Sequence, residues 1–149
     1  MAQGFLDQYV HHLLDYIFGG ETTTPTQGAY LSPVTWYLGL LTQAPTSNGT
    51  GAIEVSAPDY GRIARVASDW EVAGTTQTRY ITNTTTVNWP EVVTSGGWGI
   101  IVNLGLFATE SSGTLRAVAS LVGGTVAFGE GSRREIQPGE LRIYLPFGN

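Results

Sequence analysis

The sequence contains no cysteine and no lysine. Without cysteine the chain forms no disulfide and offers no thiol for catalysis or metal binding. The seven basic side chains other than histidine are therefore all arginines, and with twelve acidic residues the formal net charge is -5 at pH 7. Because phosphate neutralisation is what binds most proteins to nucleic acids, this acidic, lysine-free composition predicts no nucleic-acid partner.

Charged residues and long apolar runs are also scarce. Only 13% of the residues are charged, about half the 25% of an ordinary soluble domain. No apolar run approaches the roughly 20 residues of a transmembrane helix, and Asp7 stands where a signal peptide would carry basic residues. We expect neither a membrane partner nor a secretion signal. Threonine, serine, glycine and tyrosine supply the polar surface instead, which favours a β-rich protein that packs against neighbours.

The 149 residues match the size of one folded domain. We predict a helix in residues 1–20, an extended arm in residues 21–33 and a β-sandwich domain in residues 34–149. The arm is assigned because Glu21 to Ser32 is rich in threonine, proline and glycine, which interrupt regular structure.

The predicted helix is amphipathic. Apolar residues recur at spacings of three and four from Phe5 to Phe18, and Gly19-Gly20 ends the pattern. A helix of this length is marginal in water by itself, so its apolar face needs a partner, which is either the chain's own sheet or another subunit. We predict that this assembly interface consists of Leu6, Tyr9, Val10, Leu13 and Ile17.

Alternation with a period of two dominates the rest of the chain and predicts strands. The first runs from Val34 to Ala44-Pro45, where proline interrupts the ladder. Roughly eight strands with turn signals at short spacing predict an all-β fold, a single β-sandwich or jelly-roll-like domain with one N-terminal helix. The later strands are predicted over residues 63–72, 78–89 (an exposed or edge strand with Ile81, Val87 and Trp89 inward), 98–108 (Ile100, Val102, Leu104 and Leu106 on one face), 115–122, 125–128 and 141–147.

A recognisable pattern begins in the first strand and runs to residue 62. The strand ends in Leu-x-Thr, and a proline turn, a glycine-rich loop, Glu-Val-Ser and Tyr-Gly-Arg follow. The positions are Leu40, Thr42, Pro45, Glu54, Val55, Ser56, Tyr60, Gly61 and Arg62. This pattern resembles a family of small bacteriophage virion proteins, and further likeness follows at Asn83, Trp89-Pro90, Trp98-Gly99 and 104–107. The usual glycines of that family before the tyrosine are replaced here by Ala57-Pro58-Asp59, so that this turn is expected to be stiffer.

The resemblance implies a structural role on the virion. It keeps Glu54 and Arg62 together, which implies a loop-anchoring pair that closes the glycine-rich loop of residues 46–51 through a charge-assisted hydrogen bond. The alternative is that Arg62 is an exposed arginine without a partner.

No catalytic, metal or cofactor site is predicted. His11 and His12 are neighbours on the helix, so that their side chains point about 100° apart and cannot share a metal. Glu130, Glu135 and Glu140 alternate with arginines, which is typical of a solvated loop with local ion pairs.

Two weaker chemical patterns stay open. Glu54 with Asp59 or Asp69 would be candidate carboxylates of a glycosidase. The four tryptophans could form a platform for stacking sugars, although tryptophan in a small β domain belongs more often to the core.

The expected function is that of a capsid decoration (cement) protein that binds and stabilises the assembled head. Its partners would be the major capsid protein and itself, as a homotrimer by analogy with other decoration proteins. It would be made in the bacterial cytoplasm and located on the capsid surface of the virion, with no enzymatic activity and no cofactor. One alternative is a tail or head fibre component that contacts the host surface. An alternative of another class is a carbohydrate-binding module or a small glycosidase.

Overall fold

The computed structural model describes residues 35–46, 50–75, 78–113, 115–121 and 124–144. These residues form short β-strands, joined in antiparallel pairs into four sheets, and one 3-10 turn at Ala67–Asp69. The prediction of an all-β fold is confirmed. The predicted helix and arm of residues 1–33 lie outside the described residues. The strands are β1 Thr35–Gln43, β2 Ile53–Glu54, β3 Ile63–Val66, β4 Trp70–Thr75, β5 Thr78–Asn83, β6 Val87–Trp89, β7 Gly99–Ile101, β8 Asn103–Phe107, β9 Leu115–Ser120, β10 Val126–Phe128, β11 Arg134–Ile136 and β12 Arg142–Tyr144.

The first strand is the centre of the largest sheet. Along one side β1 pairs with β8, which in turn pairs with β9, and along its other side it pairs with both β3 and β2. Leu38 lies opposite Leu106 and Leu40 opposite Leu104. All four leucines are buried, because alternate residues of paired strands share one face and this face is turned to the core.

One hydrophobic core joins all four sheets. The three smaller sheets are β12-β5-β4, β10-β7 and β11-β6, and each contributes side chains to the same cluster as β1 and β8. All four tryptophans belong to this cluster and are no more than 7% exposed. The expectation that the tryptophans are core residues is therefore confirmed, and the indole rings are not available as a sugar-stacking surface.

The predicted strand over residues 63–72 is wrong in one respect, since the 3-10 turn at Ala67–Asp69 divides it into β3 and β4. The carboxylate of Asp69 accepts hydrogen bonds from the Val66 amide (3.0 Å) and the Thr85 hydroxyl (3.0 Å). A side chain that bonds its own backbone in this way competes with the ladder and favours a turn. The chain consequently leaves the sheet of β1 and enters the sheet of β5.

The predicted strand over residues 78–89 is likewise two strands, and β5 is not an edge strand, because β12 and β4 flank it. Asn83, which is 1% exposed, donates to the carbonyls of Thr85 (2.8 Å) and Gln137 (2.9 Å) and accepts the Leu141 amide (3.0 Å). These bonds turn the backbone after β5. The inward placement of Ile81, Val87 and Trp89 is confirmed, since all three are buried.

The apolar stretch of residues 98–108 changes face at Val102, whose amide donates to the Leu41 carbonyl (2.8 Å). Ile101 is therefore buried and Ile100 is 60% exposed, which contradicts the prediction that Ile100 shares one face with the buried Leu104 and Leu106. The solvated loop predicted around Glu130, Glu135 and Glu140 is also partly wrong, because it contains β11, paired with β6. Ile136 is the apolar residue of β11, and a single apolar residue gives no alternation from which a strand could be predicted.

Candidate functional site

The candidate site is built on a gap in the ladder of β1. β3 pairs with β1 from Thr35 to Leu38, and β2 pairs with it only from Leu41 onward. At Leu40 the backbone amide instead donates to the Tyr60 hydroxyl (2.7 Å), while the carbonyl accepts the Val55 amide (3.0 Å). The hydroxyl of Tyr60 thus satisfies a backbone group that the two diverging strands leave unpaired, as a buried amide requires.

The Glu54 carboxylate accepts hydrogen bonds from both Tyr60 and Arg62, and these three residues form the Glu54 cluster. Its Oε1 accepts hydrogen bonds from the Tyr60 hydroxyl (2.8 Å) and from Nε of Arg62 (2.8 Å), and its Oε2 accepts Nη2 of Arg62 (2.6 Å). This is the two-bond geometry in which a guanidinium and a carboxylate interact most strongly. Glu54 and Arg62, which the resemblance paired, are therefore in direct contact, and Arg62 is not an exposed arginine.

Arg62 also reaches the turn between β8 and β9. Its Nη1 donates to the carbonyls of Thr109 (2.7 Å) and Ser112 (2.7 Å), and its guanidinium lies 3.5 Å from the centre of the Phe107 ring. Only 5% of the Arg62 side chain is exposed. One cation therefore ties β2 to a turn about 50 residues away in the chain, and the aromatic face adds a cation–π contact.

The hydroxyl of Tyr60 stays protonated in this setting. Burial raises its pKa most, and the hydrogen bond from the Leu40 amide opposes this. The Glu54 carboxylate raises the pKa again and Arg62 lowers it least, so that the pKa lies well above the usual tyrosine value. The protonated hydroxyl can donate to Glu54 while it accepts the Leu40 amide, so both bonds persist together.

Two glycines make room for the cluster. Gly39 and Gly105 lie directly opposite each other on β1 and β8. A Cβ on Gly39 would lie 2.6 Å from Oε1 of Glu54 and 2.8 Å from Cε2 of Phe107, and one on Gly105 would also lie 2.8 Å from Phe107. The sequence signal for this was present, since a glycine within a strand often marks a close approach of other groups.

Asp59 organises a second cluster, which the sequence reasoning missed. Its Oδ2 accepts the amides of Val93 (2.7 Å) and Thr94 (3.1 Å), and its Oδ1 accepts the Thr94 hydroxyl and Nε1 of Trp98 (3.0 Å). Desolvation raises the pKa of Asp59, but the hydrogen bonds from Thr94, Trp98 and Val93 together outweigh it and hold the pKa well below its usual range. Asp59 thereby fixes the loop that leads into β7.

The carboxylates considered for catalysis are all engaged by donors of the chain itself. Glu54 binds Arg62 and Tyr60, Asp59 binds the 93–98 loop, and Asp69 holds the turn before β4. The arrangement around Arg62 and Asp59 therefore joins distant segments of the fold. Among the described residues no group of three or more His, Cys, Asp or Glu side chains is placed to hold a metal ion.

The remaining predicted residues are distributed as follows. The interface residues Leu6, Tyr9, Val10, Leu13 and Ile17, with His11 and His12, lie outside the described residues. Glu140 accepts the Gln137 amide (2.8 Å) within a turn. At the base of the glycine-rich loop, Gln43 donates to the Gly51 carbonyl (2.7 Å). The described part of the chain contains no helix long and apolar enough to cross a bilayer.

Comparison with known proteins supplies the family. No curated protein matches the chain. One family model matches residues 5–143, and it is described as podophage GP4 fiber I protein gp80. The match spans nearly the whole chain, including the Glu54–Arg62 cluster and the Asp59 cluster, and it confirms the resemblance to small phage virion proteins. The chain is a phage virion structural protein that belongs to the family of the podophage GP4 fiber I protein gp80.

Proposed function

We propose that this protein is a structural component of a short podophage fibre. The observation that carries the proposal is the family match over residues 5–143, whose description is that of a fibre protein. The clusters around Glu54 and Asp59 support it, because hydrogen-bonded and ionic contacts between distant segments suit a module that bears load. The four sheets around one core favour the predicted sandwich or jelly-roll arrangement for this module.

Gold-labelled antibodies against the purified protein, applied to intact virions, test the fibre proposal. We expect the gold to lie on fibres that project from the particle, and pre-incubation with the antibody to reduce attachment to host cells. Label spread evenly over the head would contradict the proposal.

A capsid decoration protein is the second candidate. It is favoured by the low content of charged residues, 13%, which leaves few mobile charged side chains to immobilise on a lattice. In this case the partners are the major capsid protein and two further copies of the chain, on the capsid surface. The purified protein would then co-sediment with heads stripped of it and not with free capsid subunits, since contacts to several subunits make binding depend on the lattice.

We further propose that the protein is not an enzyme. The support is that Glu54, Asp59 and Asp69 are each held by donors within the chain. A screen with polysaccharide, ester and peptide substrates is expected to show no turnover. Turnover that is lost in Glu54→Gln would instead establish the glycosidase alternative.

A further inference from the structure

The bonds that a protease of the trypsin type can cleave are confined to one part of this chain. Such a protease binds an arginine or lysine side chain in a pocket that carries a carboxylate. The sequence has no lysine, so that its seven basic residues of this kind are all arginines. None of them precedes Arg62, and residues 1–61 therefore contain no such bond. All seven lie among the described residues, at positions 62, 65, 79, 116, 133, 134 and 142.

Five of the arginines are strand residues. Because a protease holds its substrate as an extended segment in its own cleft, a bond within a ladder becomes accessible only when the ladder opens. Arg116 lies between Leu115 and Ala117, which are both paired with β8. The other four lie opposite a residue of the neighbouring strand: Arg65 opposite Trp36, Arg79 opposite Gly74, Arg134 opposite Trp89 and Arg142 opposite Thr82.

Arg133 precedes β11 and has a side chain that is 72% exposed. Its backbone neighbours are nevertheless held on both sides. The Ser132 amide donates to the Gly129 carbonyl (3.0 Å), the Ser132 carbonyl accepts the Val92 amide (2.9 Å), and Arg134 belongs to the ladder of β11 and β6. The exposure of the side chain alone therefore does not make the Arg133–Arg134 bond accessible.

Arg62 also lies outside the strands, but here the side chain itself is inaccessible. Only 5% of it is exposed, because it binds the Glu54 carboxylate and the carbonyls of Thr109 and Ser112. A protease pocket that binds arginine through a carboxylate would have to compete with Glu54 for the same guanidinium. The backbone gives less protection, since Ile63 is the first residue of β3 and the ends of ladders fray most easily.

We propose that the folded protein resists proteases that cleave after basic residues, and that the Glu54 cluster protects the Arg62–Ile63 bond by holding the guanidinium. The other arginyl bonds are protected through their backbone. Arg62–Ile63 is then a latent cleavage site, which opens when the contact between Glu54 and Arg62 is lost while the strands stay paired. Such resistance suits a virion protein, because it functions outside the cell in which it was made.

Limited digestion of the full-length protein with trypsin tests the proposal, with the fragments identified by mass spectrometry. We expect the folded parent to stay intact many times longer than the same protein unfolded beforehand. Glu54→Gln should be cleaved several-fold faster than the parent, and first after Arg62. The matched control is Glu91→Gln, which releases the exposed Arg133 from its ion pair and should leave the digestion unchanged, since the backbone beside Arg133 stays bonded.

A second variant separates the release of Arg62 from a general loss of stability. Arg62→Lys keeps a basic residue that trypsin recognises and keeps the charge opposite Glu54, but an ammonium group cannot form the paired bonds of a guanidinium. We expect this variant also to be cleaved first after residue 62, with a folded circular dichroism spectrum.

Rapid cleavage of the folded parent after any arginine would overturn the proposal. First cuts spread over several arginines in Glu54→Gln and Arg62→Lys would also overturn it, because they would indicate global unfolding in place of a local release. The same holds if neither variant is cleaved after residue 62 faster than the parent. None of these outcomes depends on whether the protein belongs to a fibre or to the capsid surface.

Discussion

At the scale of single residues, two ion pairs of the same kind differ in their surroundings. In the Glu54–Arg62 pair the side chains are 23% and 5% exposed, and in the Glu91–Arg133 pair they are 48% and 72% exposed. Exposed pairs contribute about 0–1 kcal/mol because water and salt screen them. A shielded pair matters mainly through the cost of leaving one partner alone.

Glu54→Gln is therefore expected to lower the free energy of unfolding by about 2–4 kcal/mol, between the values for exposed and for fully buried pairs. The substitution leaves the Arg62 guanidinium over Phe107 without its counter-charge. The matched control is Glu91→Gln, which removes the same charge from the exposed pair and should cost less than about 1 kcal/mol. Urea unfolding of both variants measures the difference. Equal decreases in the free energy of unfolding would show that shielding of the Glu54–Arg62 pair adds nothing to its contribution.

Gly39→Ala is expected to destabilise the protein by about 1–3 kcal/mol through overpacking. The added methyl group would fall within 3 Å of both the Glu54 carboxylate and the Phe107 ring. Gly61→Ala is the matched control, since a Cβ there meets no atom within 4 Å and a less flexible unfolded chain makes such a change neutral or slightly stabilising. The melting temperature should fall for Gly39→Ala and not for Gly61→Ala. An unchanged melting temperature for Gly39→Ala would show that Glu54 and Phe107 shift to admit the methyl group at little cost.

At the scale of elements, β1 pairs with two strands, β3 and β2, along the same side. The Tyr60 side chain accepts the hydrogen bond of the backbone amide that lies between them. β3 and β2 separate beside Leu40, and Tyr60 occupies the separation. The tyrosine ring also meets Trp98 edge-on, with the ring centres 5.3 Å apart, so the same residue links the ladder to the core.

Tyr60→Phe tests this link, because it keeps the ring and removes the hydroxyl. It should cost about 1–3 kcal/mol, since the Leu40 amide loses its acceptor. The amide of Leu40 should also exchange with deuterium markedly faster than that of Leu38, which keeps its place opposite Ile63. The matched variant is Tyr37→Phe, on the face of the same strand that carries Gly39, with an expected change near zero. Unaltered exchange at Leu40 in Tyr60→Phe would mean that another group satisfies the amide.

At the scale of the whole molecule, the charge of Asp59 links stability to pH. Its pKa is depressed in the folded state, while the unfolded value is about 3.9. A depressed folded pKa contributes stability that is fully present above the unfolded pKa and is lost as the pH falls through the folded pKa. The Asp59 contribution should therefore be constant near neutral pH and decline progressively below about pH 4.

Urea midpoints of the parent and of Asp59→Asn between neutral and strongly acidic pH measure this contribution. The variant should be less stable at neutral pH, because an amide NH₂ group would face the backbone amides from which the carboxylate now accepts hydrogen bonds. The gap between the two proteins should narrow as the pH falls below the ordinary aspartate range. A gap that stays constant down to the lowest pH would show that the Asp59 charge is not responsible.

The sequence by itself determined what depends on local pattern. Alternation predicted a first strand from Val34 to Ala44-Pro45, and β1 spans Thr35–Gln43, because period-two alternation is a local property of the residues. The all-β class followed from the same alternation in the later strands. The burial of the tryptophans followed from the usual place of tryptophan in small β domains, and the resemblance paired Glu54 with Arg62.

Only the tertiary structure decided where strands break and which distant groups meet. The breaks at Asp69, Asn83 and Val102 depend on hydrogen bonds to segments that are remote in the chain or to the local backbone, and no alternation records such bonds. Asp59 became a structural centre because the fold brings Val93, Thr94 and Trp98 to its carboxylate. The pairing of β11 with β6 likewise joins segments that are distant in the sequence. A strand of three residues is too short for alternation to predict it, because its structure depends on the hydrogen bonds to its partner strand.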